Sequence, residues 1–279
     1  MIARAYDAIL LDLDGTLVDE HDRIHPRTLA ALREAHRRGV RVLVATGRSE
    51  LATLPVLEQL AIPAPAIVFN GAGLWCQEKR RLIEERVLSK RTLDRAVDFG
   101  ERHGLLTVSM CAGVTYTLEP RTEMERLALK DMTGLVPSSP EEMRFRRAIR
   151  VTLFSETYES SGAFASAVEA WIAQPIYATH FPLNVLAHHR ASRLQVVDIH
   201  PPCRGKAEGL RVLEEHYGVP ASRVVAVGDA TNDIPMFEAA GLAVAMGDGM
   251  REAVEAADRV IGNVGTDAIG ALVEELFLA

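Results

Sequence analysis

The chain has 279 residues, enough for one large domain or two modest ones. Its hydrophobic content of 48% supports a sizeable core and excludes a disordered chain. The formal net charge of -7, from 31 basic and 38 acidic side chains, argues against the basic surface that non-specific nucleic-acid binding needs. A local basic cluster, Arg144, Arg146, Arg147 and Arg150, reads as one solvated face of a helix. No run of about eighteen apolar residues is present, so no membrane span is expected. The first residues, from Met1 to Asp7, lack signal-peptide architecture. The 3 cysteines, Cys76, Cys111 and Cys203, have no metal-ligand spacing and read as thiols of a reducing compartment. The expectation is a cytoplasmic globular protein, monomeric or a small homo-oligomer, with no nucleic-acid and no membrane partner.

In chain order, Ile9-Leu10-Leu11 is an apolar run that breaks into Asp12-Leu13-Asp14-Gly15-Thr16. A short apolar run before a glycine reads as a buried strand entering a tight turn. Two carboxylates so close repel one another unless a cation lies between them, and hard oxygen ligands suit Mg²⁺. A polar loop follows, and Pro26 sits well in a first helical turn, with Gly39 stopping that helix. Val40 to Ala45 is a second strand, ending in Thr46-Gly47-Arg48. A helix is expected from Glu50 to Leu60, and a third strand from Ala66 to Phe69, ending at Asn70-Gly71. Near-continuous apolar strands alternating with helices predict an α/β fold with a parallel sheet covered on both faces. Ligands of such sheets bind beyond the carboxyl ends of the strands, where all three polar turns fall.

From Leu82 to His200 the texture changes. Shorter, more amphipathic strands are expected at 105–110, 114–118, 149–154, 176–179, 184–187 and 194–199. Helices are expected at 92–103 and 160–171. This pattern predicts an α+β domain with a mostly antiparallel sheet, inserted into the first. The boundaries are thus residues 1–81 and 201–279 for the first domain and 82–200 for the second. The joins near Lys79 to Leu82 and His200 to Cys203 read as hinges, the second stiffened by Pro201-Pro202. After them come a helix opened by Lys206 and a strand delivering Gly228-Asp229-Ala230-Thr231-Asn232-Asp233. A helix from Ile234, a strand from Leu242 and helices to Ala257 and Phe277 close the fold. The pair His188-His189 on an expected strand would face opposite ways and makes a poor metal site. Trp75 and Trp171 read as packing residues.

Four polar spots therefore sit where strands end or helices begin: Asp12/Asp14, Thr46, Lys206, and Asp229/Asn232/Asp233. In order and type they resemble the four signature motifs of the haloacid dehalogenase superfamily of phosphohydrolases. The long insertion between the second and third is similar to the Cof-type branch with its subclass IIB α/β cap. The motifs span essentially the whole chain. The resemblance implies a Rossmann-like doubly wound core with the inserted segment as a cap that governs substrate choice. One departure shows: glycine precedes the lysine of the third motif, in Gly205-Lys206-Ala207, and Arg204 is its rival for the position.

The resemblance also implies roles. Asp12 would be the nucleophile of a phosphatase acting on a small phosphorylated metabolite, a sugar phosphate above all. Asp14 would be the general acid and base. Mg²⁺ would be held by Asp12, the Asp14 main-chain carbonyl and Asp229, with Asp233 as a ligand through water or as a support. Thr46, Lys206 and Asn232 would bind phosphate oxygens, and Arg48 would touch phosphate or substrate. The chemistry agrees: a carboxylate nucleophile gives an acyl phosphate that water can hydrolyse, splitting one hard step into two. Substrate range is expected in cap residues 108–116 and 179–189. Two alternatives stay open, a sugar-phosphate phosphotransferase or phosphomutase, and a catalytically idle sensor of a phosphorylated ligand.

Overall fold

The structure, a computed structural model, describes residues 5–130 and 132–279. The chain divides into two compact units, one of Met1–Arg48, Thr53–Glu84 and Arg204–Ala279, the other of Ser49–Ala52 and Glu85–Cys203.

The first unit opens with β1 (Ala8–Leu11), all four residues buried. Helix α1 (Pro26–Arg37) starts on its proline and buries Thr28, Ala31, Leu32 and Ala35, the three- and four-residue spacing of one helical face. Strand β2 (Arg41–Ala45) follows, then α2 (Glu50–Leu60), which carries Pro55 in its interior and belongs to this unit from Thr53 onward. Strand β3 (Ala66–Val68) runs into a turn at Phe69–Gly71. The chain then reverses into β4 (Gly73–Cys76), antiparallel to β3, and continues to β5 (Arg81–Glu85). The apolar pattern of the sequence ends at Asn70-Gly71, and the hairpin beyond it is an addition that this pattern does not announce. Its outer strand alternates between half-buried and exposed positions, a weak signal beside the near-continuous apolar strands within.

The second unit begins with α3 (Lys90–Arg102), capped by the Ser89 hydroxyl. Next come β6 (Leu106–Cys111), β7 (Val114–Thr117), α4 (Glu123–Leu129), β8 (Leu135–Pro137) and α5 (Pro140–Met143). Strand β9 (Arg150–Ser155), α6 (Ser161–Ile172), β10 (Tyr177–Pro182) and β11 (Gln195–His200) complete it. The sheet order is β10-β11-β9-β6-β7-β8. Its pairings are antiparallel except for the parallel β7 and β8. Phe99, Val151, Leu153, Phe164, Val197 and Ile199 pack its helices onto one face. Trp171 packs edge-on against Phe99, with ring centroids 5.9 Å apart.

Three expectations fail here. The strand at 184–187 is instead a pair of tight turns, Leu183–Val185 and Ala187–His189. The backbone bonds Leu186 N to Leu183 O and His189 N to Leu186 O curl the chain directly after Pro182. His188 and His189 therefore lie in a turn and not on a strand. The basic cluster is not one helix face: α5 ends at Met143, and Arg150 is buried at the start of β9. Helix α4 was not foreseen, although Thr122 and Glu125 form a capping box.

Back in the first unit, Lys206 lies in a turn, Gly205–Ala207, that leads into α7 (Glu208–Tyr217). Strand β12 (Val224–Gly228), α8 (Ile234–Phe237), β13 (Leu242–Ala245), α9 (Arg251–Ala256), β14 (Arg259–Val260) and α10 (Ala268–Val273) follow. The sheet order β14-β13-β12-β1-β2-β3-β4-β5 places β1 at the centre, parallel to β12 and β2. This is the doubly wound α/β sheet expected, extended by an antiparallel hairpin at one edge. Among the described residues, no helix is long and apolar enough to cross a membrane.

Candidate active site

The carboxyl ends of the three neighbouring strands β12, β1 and β2 carry Asp229, Asp12 and Thr46. The ladder continues one residue past β1, where the Asp12 amide donates to Val227 O at 3.0 Å. Asp12 is 3% exposed, a cost that a carboxylate bears only when partnered. Its partner is Lys206, itself 2% exposed, whose Nζ donates to Asp12 Oδ1 at 2.6 Å and to Asp233 Oδ1 at 2.7 Å. Arg204, the rival for that position, is exposed and its backbone amide donates to Glu208 Oε1.

The Gly205-Lys206 turn explains the departure from the expected motif. Gly205 has φ 63°, and a Cβ on Gly71 would lie 2.2 Å from Gly205 O. Glycine at both places lets the Asn70-Gly71 turn rest against the Lys206 turn.

The fourth motif is held by its own last residue. Asp233 is fully buried, and its Oδ2 accepts from the amides of Asp229 and Ala230, each at 2.9 Å. Thr16 Oγ1 donates to Asp229 Oδ1 at 3.0 Å. Gly15 between them has φ 77°, and a Cβ there would lie 2.4 Å from Asp229 Oδ2. The first motif thus needs its glycine both for backbone conformation and for the approach of a carboxylate from β12.

Carboxylate oxygens of Asp12, Asp229 and Asp233 lie within 4.8 Å of one another. Burial first, and then the neighbouring charges of Asp233, Asp229 and Asp14, hold the Asp12 carboxyl well above the usual range, with Lys206 pulling the other way. Burial and the Asp233 charge push Asp229 up to about 6, against Lys206 and the Thr16 hydroxyl. Burial alone would lower Lys206, but Asp12 and Asp233 outweigh it and keep the ammonium charged. The cluster is short of positive charge, and its donors are hard oxygens, the set that suits a divalent cation such as Mg²⁺.

Asp14 takes a different place. Its carboxylate lies outside that cluster and is gripped by Arg48, with Nε donating to Oδ2 at 2.9 Å and Nη2 to Oδ1 at 2.5 Å. Thr46 is fully buried, and its Oγ1 accepts from the Arg48 amide at 3.1 Å. Asn232 Nδ2 donates to Asn70 Oδ1 at 3.1 Å. All eight sequence-nominated residues lie in the first unit: Asp12, Asp14, Thr46, Arg48, Lys206, Asp229, Asn232 and Asp233.

Three contributors escaped the sequence reading. Thr16 was read only as part of the turn, although it bonds Asp229. Asn70 reads in the sequence only as the polar turn that ends the third strand, with no sign that it partners Asn232. Asp22 lies in a polar loop without any motif, yet it accepts from Arg48 Nη2 at 2.5 Å.

The sequence profile of the haloacid dehalogenase-like hydrolases matches residues 9–272. The pyridoxal phosphate phosphatase YbhA of Escherichia coli K12 is 29% identical, over 95% of this chain and 96% of its own length. The 5-amino-6-(5-phospho-D-ribitylamino)uracil phosphatase YitU of Bacillus subtilis 168 is 26% identical, over 96% of this chain and 97% of its own length. Among solved structures, the subclass IIB sugar phosphatase BT4131 superposes with a TM-score of 0.79 at 24% identity, covering 96% of this chain and 98% of its own. The phosphatase BT1666 of Bacteroides thetaiotaomicron gives a TM-score of 0.81 at 21% identity, covering 100% of this chain and 99% of its own. At these identities the two structures speak for the fold alone.

Proposed function

The chain belongs to the haloacid dehalogenase-like hydrolases, and from that premise we propose a Mg²⁺-dependent phosphatase that works through an aspartyl-phosphate on Asp12. Phosphatase activity on a phosphorylated metabolite is what the names of YbhA and YitU share, within a family of hydrolases. The finer reading adds a sugar phosphate as the substrate class. The observation that carries the phosphatase reading is the buried Asp12 carboxylate at the carboxyl end of the central strand, oriented by the Lys206 ammonium at 2.6 Å.

In the first half-reaction an Asp12 oxygen forms a bond to phosphorus in line with the ester oxygen, and the P–O ester bond breaks. The departing oxygen takes a proton from the Asp14 carboxyl. In the second, water attacks phosphorus, gives its proton to Asp14, and Asp12 leaves as a carboxylate with free phosphate. Lys206, Thr46 and Asn232 hold the phosphoryl oxygens and spread their charge. Lys206 also points Asp12 at the phosphorus. Mg²⁺ would be held by the carboxylates of Asp12 and Asp229 and by the Asp14 carbonyl. When bound, it screens repulsion between Asp12 and the anionic substrate. Asp233 already gives Oδ1 to Lys206 and Oδ2 to two amides, so it supports the site and does not ligate directly.

The second unit is assigned to substrate selection, so exchanging it for that of a relative should change the substrate and not the Mg²⁺ requirement. The test of the whole reading is phosphate release from a panel of sugar phosphates, nucleotides, glycerol phosphates and pyridoxal phosphate. Turnover with Mg²⁺ that is lost in EDTA supports it. Inactivity across the panel with tight binding of one ester would instead make the protein a sensor. Transfer of phosphate to an added sugar would make it a phosphotransferase.

A further inference from the structure

We infer that Asp22, in the loop after the first motif, is a positioning residue that fixes the acid-base group Asp14 by anchoring Arg48. The inference rests on the phosphatase reading above.

Arg48 Nη2 is shared, donating to Asp14 Oδ1 and to Asp22 Oδ1 at 2.5 Å each, while Nε holds Asp14 Oδ2 at 2.9 Å. The Asp14 and Asp22 side chains are each 53% exposed, whereas that of Arg48 is only 17% exposed. A half-exposed carboxylate held by one flexible arginine gains little and is not fixed in direction. A second anchor on the same guanidinium changes that, because the fork can no longer pivot about Asp14.

The loop is built to present that anchor. Asp22 adopts φ 58°, a left-handed conformation that is uncommon for a non-glycine residue. It is kept there by local ties: its amide donates to Asp19 O at 3.0 Å, and Gln59 Nε2 donates to its carbonyl at 3.0 Å. Gln59 Oε1 also accepts from the Ile24 amide at 2.6 Å, so α2 grips the loop on both sides of Arg23. At the other end, the Arg48 backbone is pinned by Thr46 Oγ1 and by the Phe69 amide, which donates to Arg48 O at 2.8 Å. The result is a rigid loop, a rigid turn and one guanidinium between them, with Asp14 set by that bridge.

In the first half-reaction a mispositioned acid matters only where the leaving oxygen needs a proton. An alkoxide does; a para-nitrophenolate leaves unaided. The second half-reaction, in which Asp14 takes the proton of water, is common to all esters. The experiment compares kcat/KM of Asp22→Asn, which reports the steps up to departure of the leaving group, on glycerol phosphate and on para-nitrophenyl phosphate, both with Mg²⁺. Asparagine tolerates the left-handed backbone, so the loop keeps its shape while losing the charge. We expect kcat/KM on glycerol phosphate to fall about tenfold or more and kcat/KM on the aryl ester to change by less than about twofold. Asp22→Glu, which restores a carboxylate, should recover part of the lost rate. An equal fall of kcat/KM on both esters, or no fall on either, overturns the inference. Hydrolysis by Asp12→Asn in the same assay would instead overturn the phosphatase reading itself.

Discussion

Lys206→Met offers the sharpest test of how the charge cluster is held together. The ammonium is 2% exposed and lies 2.6 Å from Asp12 and 2.7 Å from Asp233, both equally buried. Methionine fills nearly the same volume, so the change is one of charge and hydrogen bonding. Removing one partner of a buried ionic contact leaves uncompensated charge, and the expected destabilisation is about 3–5 kcal/mol without metal. The loss should shrink on acidification, because Asp229 already stands at about 6 and takes up a proton more readily once the cation is gone. Mg²⁺ should restore part of the stability by binding the exposed charge of the folded cluster. Trp75 lies in the first unit and Trp171 in the second. Urea unfolding followed by fluorescence in a Trp171→Phe background therefore reports on the first unit alone. A shift below about 1 kcal/mol at neutral pH without metal would refute the reasoning, since a dispensable cation would mean that the carboxylates are already neutral.

Three further outcomes follow from the same fold. His200 is fully buried with neither ring nitrogen partnered, and burial holds it down at about 3, helped by the Arg150 charge against that of Asp198. The unfolded chain takes up this proton near the ordinary value of about 6.5 and the folded chain does not, so stability falls as pH drops from there towards about 3. His200→Leu should be about 2 kcal/mol better placed relative to its parent at pH 5 than at pH 7 in urea titrations, and an identical pH dependence would contradict the assignment. Gly15→Ala should displace Asp229 and force a left-handed alanine, weakening Mg²⁺ affinity by calorimetry; unchanged affinity would show that the turn is not a constraint. Thr122→Ala should cost about 1 kcal/mol through loss of the cap of α4, measured as a lower urea midpoint, and no change would mean that the helix is held by packing alone.

What was legible in the sequence is what lies contiguous in it. The strand ends and their turns announce themselves because apolar runs stop abruptly at Asp12, Thr46 and Asp229, and a parallel sheet brings such ends side by side. Pairing across the fold was not legible. Nothing in Asp22 marks it as the partner of Arg48, because their contact depends on the path of a polar loop. Asn70 meets Asn232 only because the turn after β3 lies beside that after β12. Apolar content also misled: Val185 and Leu186 read as a strand, but the preceding proline and local backbone bonds curl the segment into turns. The β4–β5 hairpin was missed for the opposite reason, since its outer strand is too exposed to read as core.

The central claim is that Asp12 carries the phosphoryl group. Acid quenching during turnover of a phosphate ester, followed by borohydride reduction and peptide mass analysis, reads this directly, because an acyl phosphate is reduced to the alcohol and a free carboxylate is not. Reduction is expected at position 12, dependent on substrate and absent from Asp12→Asn. Substrate-dependent reduction or phosphorylation at any other residue, with Asp12 unmodified while phosphate is released, would contradict it.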